Sequence, residues 1–164
     1  MRGQLRFGLA IAAAVLIADQ AAKFFVLRVL NLTLGGKLSV LPFFDLALTY
    51  NPGISYGLWP QDSDLGRYVL VAISLAAAGL FAVWLGRAGS WLVAASLGLL
   101  IGGAIGNGVD RLIYGAVVDF ISLHVFGWRW YVFNVADSAI VAGVVGLLYD
   151  AIFGGATKRP PSTG

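Results

Sequence analysis

The sequence predicts an all-α membrane protein of four transmembrane helices that carries a small extracytoplasmic β cradle. Three observations lead there. The 164 residues are 59% hydrophobic and only 12% charged, with a mean hydropathy of +0.85, far above that of a water-soluble domain. The apolar residues fall into four runs long enough to cross a bilayer. Between the first two runs the apolar residues alternate at strand spacing instead. The composition also excludes chemistry. Cysteine is absent, which removes disulfides and thiolate catalysis. A single histidine, His124, excludes an HExxH zinc site. The net charge of +3 is scattered rather than clustered, so nucleic acid is not an expected partner. The whole chain, 1–164, reads as one integral membrane domain.

The first span is expected over about 7–29, after Arg2 and Arg6. Alone it has the basic start and short apolar core of a signal peptide, but the following spans need it as a partner. On that helix Asp19 and Lys23 are i,i+4 neighbours with the acid first, the favourable order for an ion pair. The β element is expected over about 31–60. There Thr33 to Lys37 has turn chemistry, Phe44, Leu46, Leu48 and Tyr50 alternate, and Asn51-Pro52-Gly53 closes with a second turn. Asp62, Asp64 and Arg67 read as a solvated link. The second span follows over about 68–85. The third, about 91–108, is rich in glycine; Gly102, Gly103 and Gly106 suit close helix packing. The fourth covers about 135–153, preceded by Trp128, Trp130 and Tyr131, which read as an interfacial aromatic belt.

Four spans bring the end of the first, the start of the second, the end of the third and the start of the fourth to one side of the membrane. That side receives Asp19, Lys23, Asn51, the stretch Asn107 to Asp119, Asn134 and Asp137. The other side holds Arg2, Arg6, Arg87, Lys158 and Arg159 in short segments, the pattern of a cytoplasmic face. Both termini are thus expected in the cytoplasm and the polar cluster outside it.

Ionisable groups inside a bilayer cost roughly 2.5–3.5 kcal/mol each on insertion scales, so a cluster of them reads as functional. Asn134 fits an N-cap, with Asp137 three residues later in capping-box spacing. The plain alternative for Asp137 is therefore a helix-stabilising acid, and for Asp119 a carboxylate on a surface loop. Neither alternative accounts for both acids in one cluster. Brought together in a poorly solvated cleft they would share a proton, the state needed to activate water against a peptide bond. The helix N-terminus favours charge on Asp137, so the proton is expected more often on Asp119. Arg111 is expected to meet substrate carbonyls, nearby carboxylates such as Asp110, or lipid phosphate. His124 is expected to be a surface residue.

Several blocks resemble the lipoprotein signal peptidases, also called signal peptidase II: Asp19-Gln20 with Lys23, Asn51 with Gly53, Gly106 to Arg111, Gly115 to Phe120, and Phe133 to Ile140. The resemblance covers nearly the whole chain. It departs after Asn51, where the family usually has a Gly-Ala-Ala-Phe-like run and this chain has Gly53-Ile54-Ser55-Tyr56. The resemblance implies a bacterial inner-membrane aspartic peptidase. Its substrates would be diacylglyceryl-modified prolipoproteins, cut before the lipidated cysteine. It implies Asp119 and Asp137 as the catalytic pair. Asn107, Asp110, Arg111 and Asn134 would shape the pocket, supported by Asn51, Gly53, Asp19 and Lys23. No metal or other cofactor is expected, and the other partners would be membrane lipids around a monomer.

Two other readings compete. Gly53 to Gly57 fits the G-x-S-x-G nucleophile elbow, but there is no room for its α/β sheet, and a Ser55–Lys23 dyad would predict loss of activity in Ser55→Ala. A small proton or cation transporter would explain buried acids, yet the polar residues cluster at one end of the spans rather than at mid-membrane.

Overall fold

The computed structural model describes residues 2–53 and 63–153. Helix α1 (Arg2–Phe24) continues as one π-helical turn, Phe25–Val29, before Asn31 takes φ 48° and turns the chain. Strands β1 (Lys37–Leu41) and β2 (Phe44–Asn51) follow, then helices α2 (Asp64–Leu85) and α3 (Trp91–Tyr114). Strands β3 (Val117–Val125) and β4 (Trp128–Arg129) lead into helix α4 (Val135–Phe153). All four helices are long and apolar enough to cross a membrane.

Helix α3 is the axis of the bundle, and α1, α2 and α4 each pack chiefly on it. Of its apolar stretch 67% is buried, against 22%, 22% and 17% for the others. Glycine makes this possible. A methyl group on Gly102 would lie 2.6 Å from the Ala12 carbonyl of α1, and one on Gly103 would lie 2.6 Å from the Ala136 carbonyl of α4. Larger residues at either position would push the helices apart.

The strands form one antiparallel sheet in the order β1-β2-β3-β4. Strands β1 and β2 come from the connection between α1 and α2, while β3 and β4 come from that between α3 and α4. Their pairing joins the two connections at one end of the bundle, the convergence that the span count requires. A bulge between Leu46 and Thr49 breaks the expected alternation of β2, so Leu48 is buried while Tyr50 stays exposed. The β3–β4 turn, Phe126-Gly127, has positive φ at both residues, the geometry that matches strand twist in a two-residue hairpin.

Several boundaries differ from the sequence reading. Helix α1 starts at Arg2 rather than near 7. Helix α2 starts at Asp64: Ser63 caps it by accepting the Gly66 N–H at 3.1 Å, and Asp64 and Arg67 lie in its first turns, not in a solvated link. Helix α3 passes 108 and ends only at Tyr114, where Gly115 takes φ 78° as a left-handed cap. Its polar residues look like the end of a span, yet tertiary partners keep them helical. The cradle has strands at 37–41 and 44–51 and gains β3 and β4; Ser55, Asp62, Lys158 and Arg159 lie outside the described residues.

Candidate active site

Asn134 joins three elements. It precedes α4, and its side-chain oxygen accepts the Asp137 N–H at 2.8 Å while the Asp137 carboxylate accepts the Asn134 N–H at 3.3 Å. This is the reciprocal capping box that the spacing predicts. The Asn134 amide then donates to Asp119 Oδ1 at 2.7 Å and to Asn107 Oδ1 at 3.3 Å. Asn107, on α3, donates in turn to Asp137 Oδ1 at 2.8 Å. One buried asparagine thus touches both aspartates, and a second braces Asp137.

Asp119 lies on β3 opposite Thr49 and is almost wholly buried, not a surface-loop acid. Its Oδ2 has no hydrogen-bond partner among the described residues. Burial, and then the charge of Asp137, raise its carboxyl from the usual value to about 7, against the opposing hydrogen bonds from Asn134 and Asn51. A carboxyl in that state holds a proton near neutrality.

The other expected site residues divide into two groups. Asn51 accepts the Gly53 N–H at 3.0 Å in a tight turn, and the Gly53 carbonyl receives Arg111 Nη2 at 2.7 Å. Arg111 also donates to the Asn107 carbonyl at 3.1 Å. It therefore fastens the turn to α3 and makes no ion pair with Asp110, contrary to one of its expected roles. Asp110 turns to α1 instead. Lys23 Nζ lies 2.6 Å from Asp110 Oδ2 and 2.6 Å from Asp19 Oδ2, all three side chains being buried. Gln20 donates to Asp110 Oδ1 at 3.0 Å and to Asp19 Oδ2 at 3.2 Å.

A cavity of about 890 Å³ opens beside this cluster. Asp137, Asn107, Arg111 and Tyr131 line its polar part, and it continues between α2 and α4 past Ile73, Phe81, Ile140 and Val144. Asp137 stands on its wall, and Asn134 links it to Asp119. Tyr131 thus helps to wall the site, a place that an aromatic belt does not foretell. Burial, then the charges of Asp119 and Asp137, push its phenol up, so it remains a proton donor.

This arrangement of paired carboxyls at a helix start, in a bundle of four apolar helices, can be set beside known proteins. Residues 11–153 match the family described as signal peptidase (SPase) II. The chain belongs to that family. Lipoprotein signal peptidase of Methylobacterium sp. (strain 4-46) is 49% identical over 160 residues, 95% of this chain and 97% of that one. Its counterpart in Methylorubrum extorquens (strain PA1) is 50% identical, over 96% of this chain and 91% of its own. A bacterial membrane enzyme solved at 2.3 Å superposes with a TM-score of 0.82 at 24% identity, covering 96% of this chain and 94% of that chain, and shows the shared fold. A second, solved at 1.9 Å, has a TM-score of 0.76 at 26% identity and covers 89% and 92%. As a signal peptidase II, the chain is an aspartic peptidase, and its four helices are long and apolar enough to cross a membrane.

A third polar cluster is not foretold by the sequence reading. Asp45, buried on β2, pairs with Lys37 Nζ at 2.8 Å and His124 Nε2 at 2.9 Å. The Lys37 ammonium beside it holds the Asp45 carboxyl below its usual value. His124 is thus tied across the sheet rather than left as a simple surface residue. A lone acid in an otherwise apolar strand, flanked by cross-strand polar residues, is the available signal.

Proposed function

We propose that this protein removes signal peptides from diacylglyceryl-modified prolipoproteins, cutting before the lipidated cysteine, with Asp119 and Asp137 as the catalytic pair. The observation that carries the assignment is Asn134, which hydrogen-bonds to Asp119 and exchanges hydrogen bonds with Asp137, while among the described residues neither carboxylate is ion-paired to a cation. The ionised Asp137 takes a proton from water and the resulting hydroxide attacks the scissile carbonyl carbon. Protonated Asp119 gives its proton to the carbonyl oxygen. When the tetrahedral species collapses, the C–N bond breaks, Asp137 gives the proton it took from water to the leaving amine, and a hydroxyl proton returns to Asp119, restoring the pair. Asn51, Gly53, Asn107, Arg111 and Asn134 shape the pocket; Asp19, Asp110 and Lys23 support it from behind.

The apolar part of the cavity, between α2 and α4, suits a substrate delivered within the membrane plane. The basic residues of the short opposite segments in the sequence support a site facing outward from the cytoplasmic membrane, with both termini inside. The chain acts as a monomer among membrane lipids. The test is incubation of the purified protein in detergent with a diacylated pre-lipoprotein. Wild type releases the shortened product, while Asp119→Asn and Asp137→Asn do not; cleavage by both variants would overturn the assignment.

A further inference from the structure

The Lys23 cluster lies outside the reaction chemistry, but its links lead to both reacting groups. Asp19 Oδ1 accepts the N–H of Ala136 at 2.9 Å, and Ala136 is the residue before Asp137. Asp110 Oδ2 accepts the N–H of Val118 at 3.0 Å, and Val118 is the residue before Asp119. Lys23 holds these two carboxylates together, and Gln20 bridges them a second time. One ammonium on α1 therefore governs, through two aspartates, the backbone immediately ahead of each catalytic residue. No link in this chain is exposed: Asp19, Lys23 and Asp110 are at most 1% accessible. Charge-assisted hydrogen bonds of this kind are short and directional, which suits a fixed spacer. Gly106 leaves the room, since a methyl there would stand 2.8 Å from Asp19 Oδ2.

We infer that Lys23 is a positioning residue that sets the separation of Asp119 and Asp137, clamping Asp19 and Asp110 so that α4 and β3 present their aspartates in register. This inference rests on the dyad reading above. It differs from a general stabilising role because the clamp's geometry, and not only its charge, matters.

Lys23→Arg separates the two, since the planar guanidinium keeps the charge but holds its acceptors at a different spacing. The second variant is Asp110→Asn, which keeps an oxygen for the Val118 N–H while removing the ion pair to Lys23. Each is purified as full-length protein in detergent and its folding checked by thermal unfolding. Measurements on the folded protein are kcat and KM on a diacylated pre-lipoprotein, and infrared titration of the buried carboxyl. The clamp predicts a kcat at least about tenfold lower with KM changed less than about twofold, the signature of a displaced reacting group. It also predicts that the carboxyl midpoint in Lys23→Arg moves down from about 7 as the two acids part. Wild-type kcat and an unmoved midpoint in a folded variant overturn the clamp. If Lys23→Arg does not fold, Asp110→Asn decides by its kcat alone. Asp119→Asn and Asp137→Asn run alongside: activity in both would sink the dyad, whereas their inactivity beside a wild-type Lys23→Arg would sink only the clamp.

Discussion

Two pairs of aspartates sit in neighbouring clusters of this protein and do different work. Asp19 and Asp110 enclose Lys23 and are buried with it. Asp119 and Asp137 are held by amides, from Asn134 and Asn107, with neither in an ion pair among the described residues. A cation between two carboxylates answers the charge of each, and the group becomes a rigid strut. Neutral donors leave mutual repulsion uncancelled, which favours the shared proton that the proposed dyad needs. The residue type is the same in both pairs; the partners differ, and with them the proposed roles.

The comparison breaks most sharply at the dyad. Replacing Asp119 or Asp137 by Asn should lower kcat by about 10²–10⁴-fold or more, as loss of a general acid or base does, measured by product release from a diacylated pre-lipoprotein. Replacing Lys23 by Met should instead lower stability, by about 3–5 kcal/mol, because two buried carboxylates lose their counter-ion; thermal or denaturant unfolding in detergent reads this. A variant as stable as wild type would show that the strut needs no cation. Smaller still, Gly106→Ala should cost about 1–3 kcal/mol by crowding Asp19, visible as a lower unfolding midpoint.

The subtlest contrast lies in pH. Asp119 binds its proton more tightly in the fold than in the unfolded chain, with its carboxyl raised from 3.8 to about 7. Its contribution to stability is therefore present in full below 3.8 and lost as pH rises to about 7. Asp119→Asn should accordingly unfold at a higher temperature than wild type at pH 8, and this advantage should vanish at pH 4. The wild-type rate should fall as pH rises through about 7, when the pair loses its shared proton. A rate independent of pH between 6 and 9 would contradict sharing.

Much of the site is legible in the amino-acid order. Asn134 and Asp137 announce a capping box by spacing alone, and the box is formed. The small and β-branched residues around Asp119 suggest only an extended path along the membrane surface; β3 runs through them as a strand. The end of α3 is harder to place, because Asn107, Asp110 and Arg111 look like the polar finish of a span. They are helical because Lys23, Asp137 and Gly53 satisfy them from other elements. Adjacency offers Asp110 to Arg111 as a partner, but neighbours on a helix point apart.

Local spacing and hydropathy determined the four spans, their parity and the meeting of the acids at one end, because a lipid solvent forces long apolar helices and allows few alternatives. Which acid meets a lysine and which meets an amide was decided by the packing of α1 and α4 on α3 and by the pairing of β2 with β3. Those choices depend on contacts between residues far apart in the chain, at distances of about 3 Å where a charge is either answered or left to seek a proton.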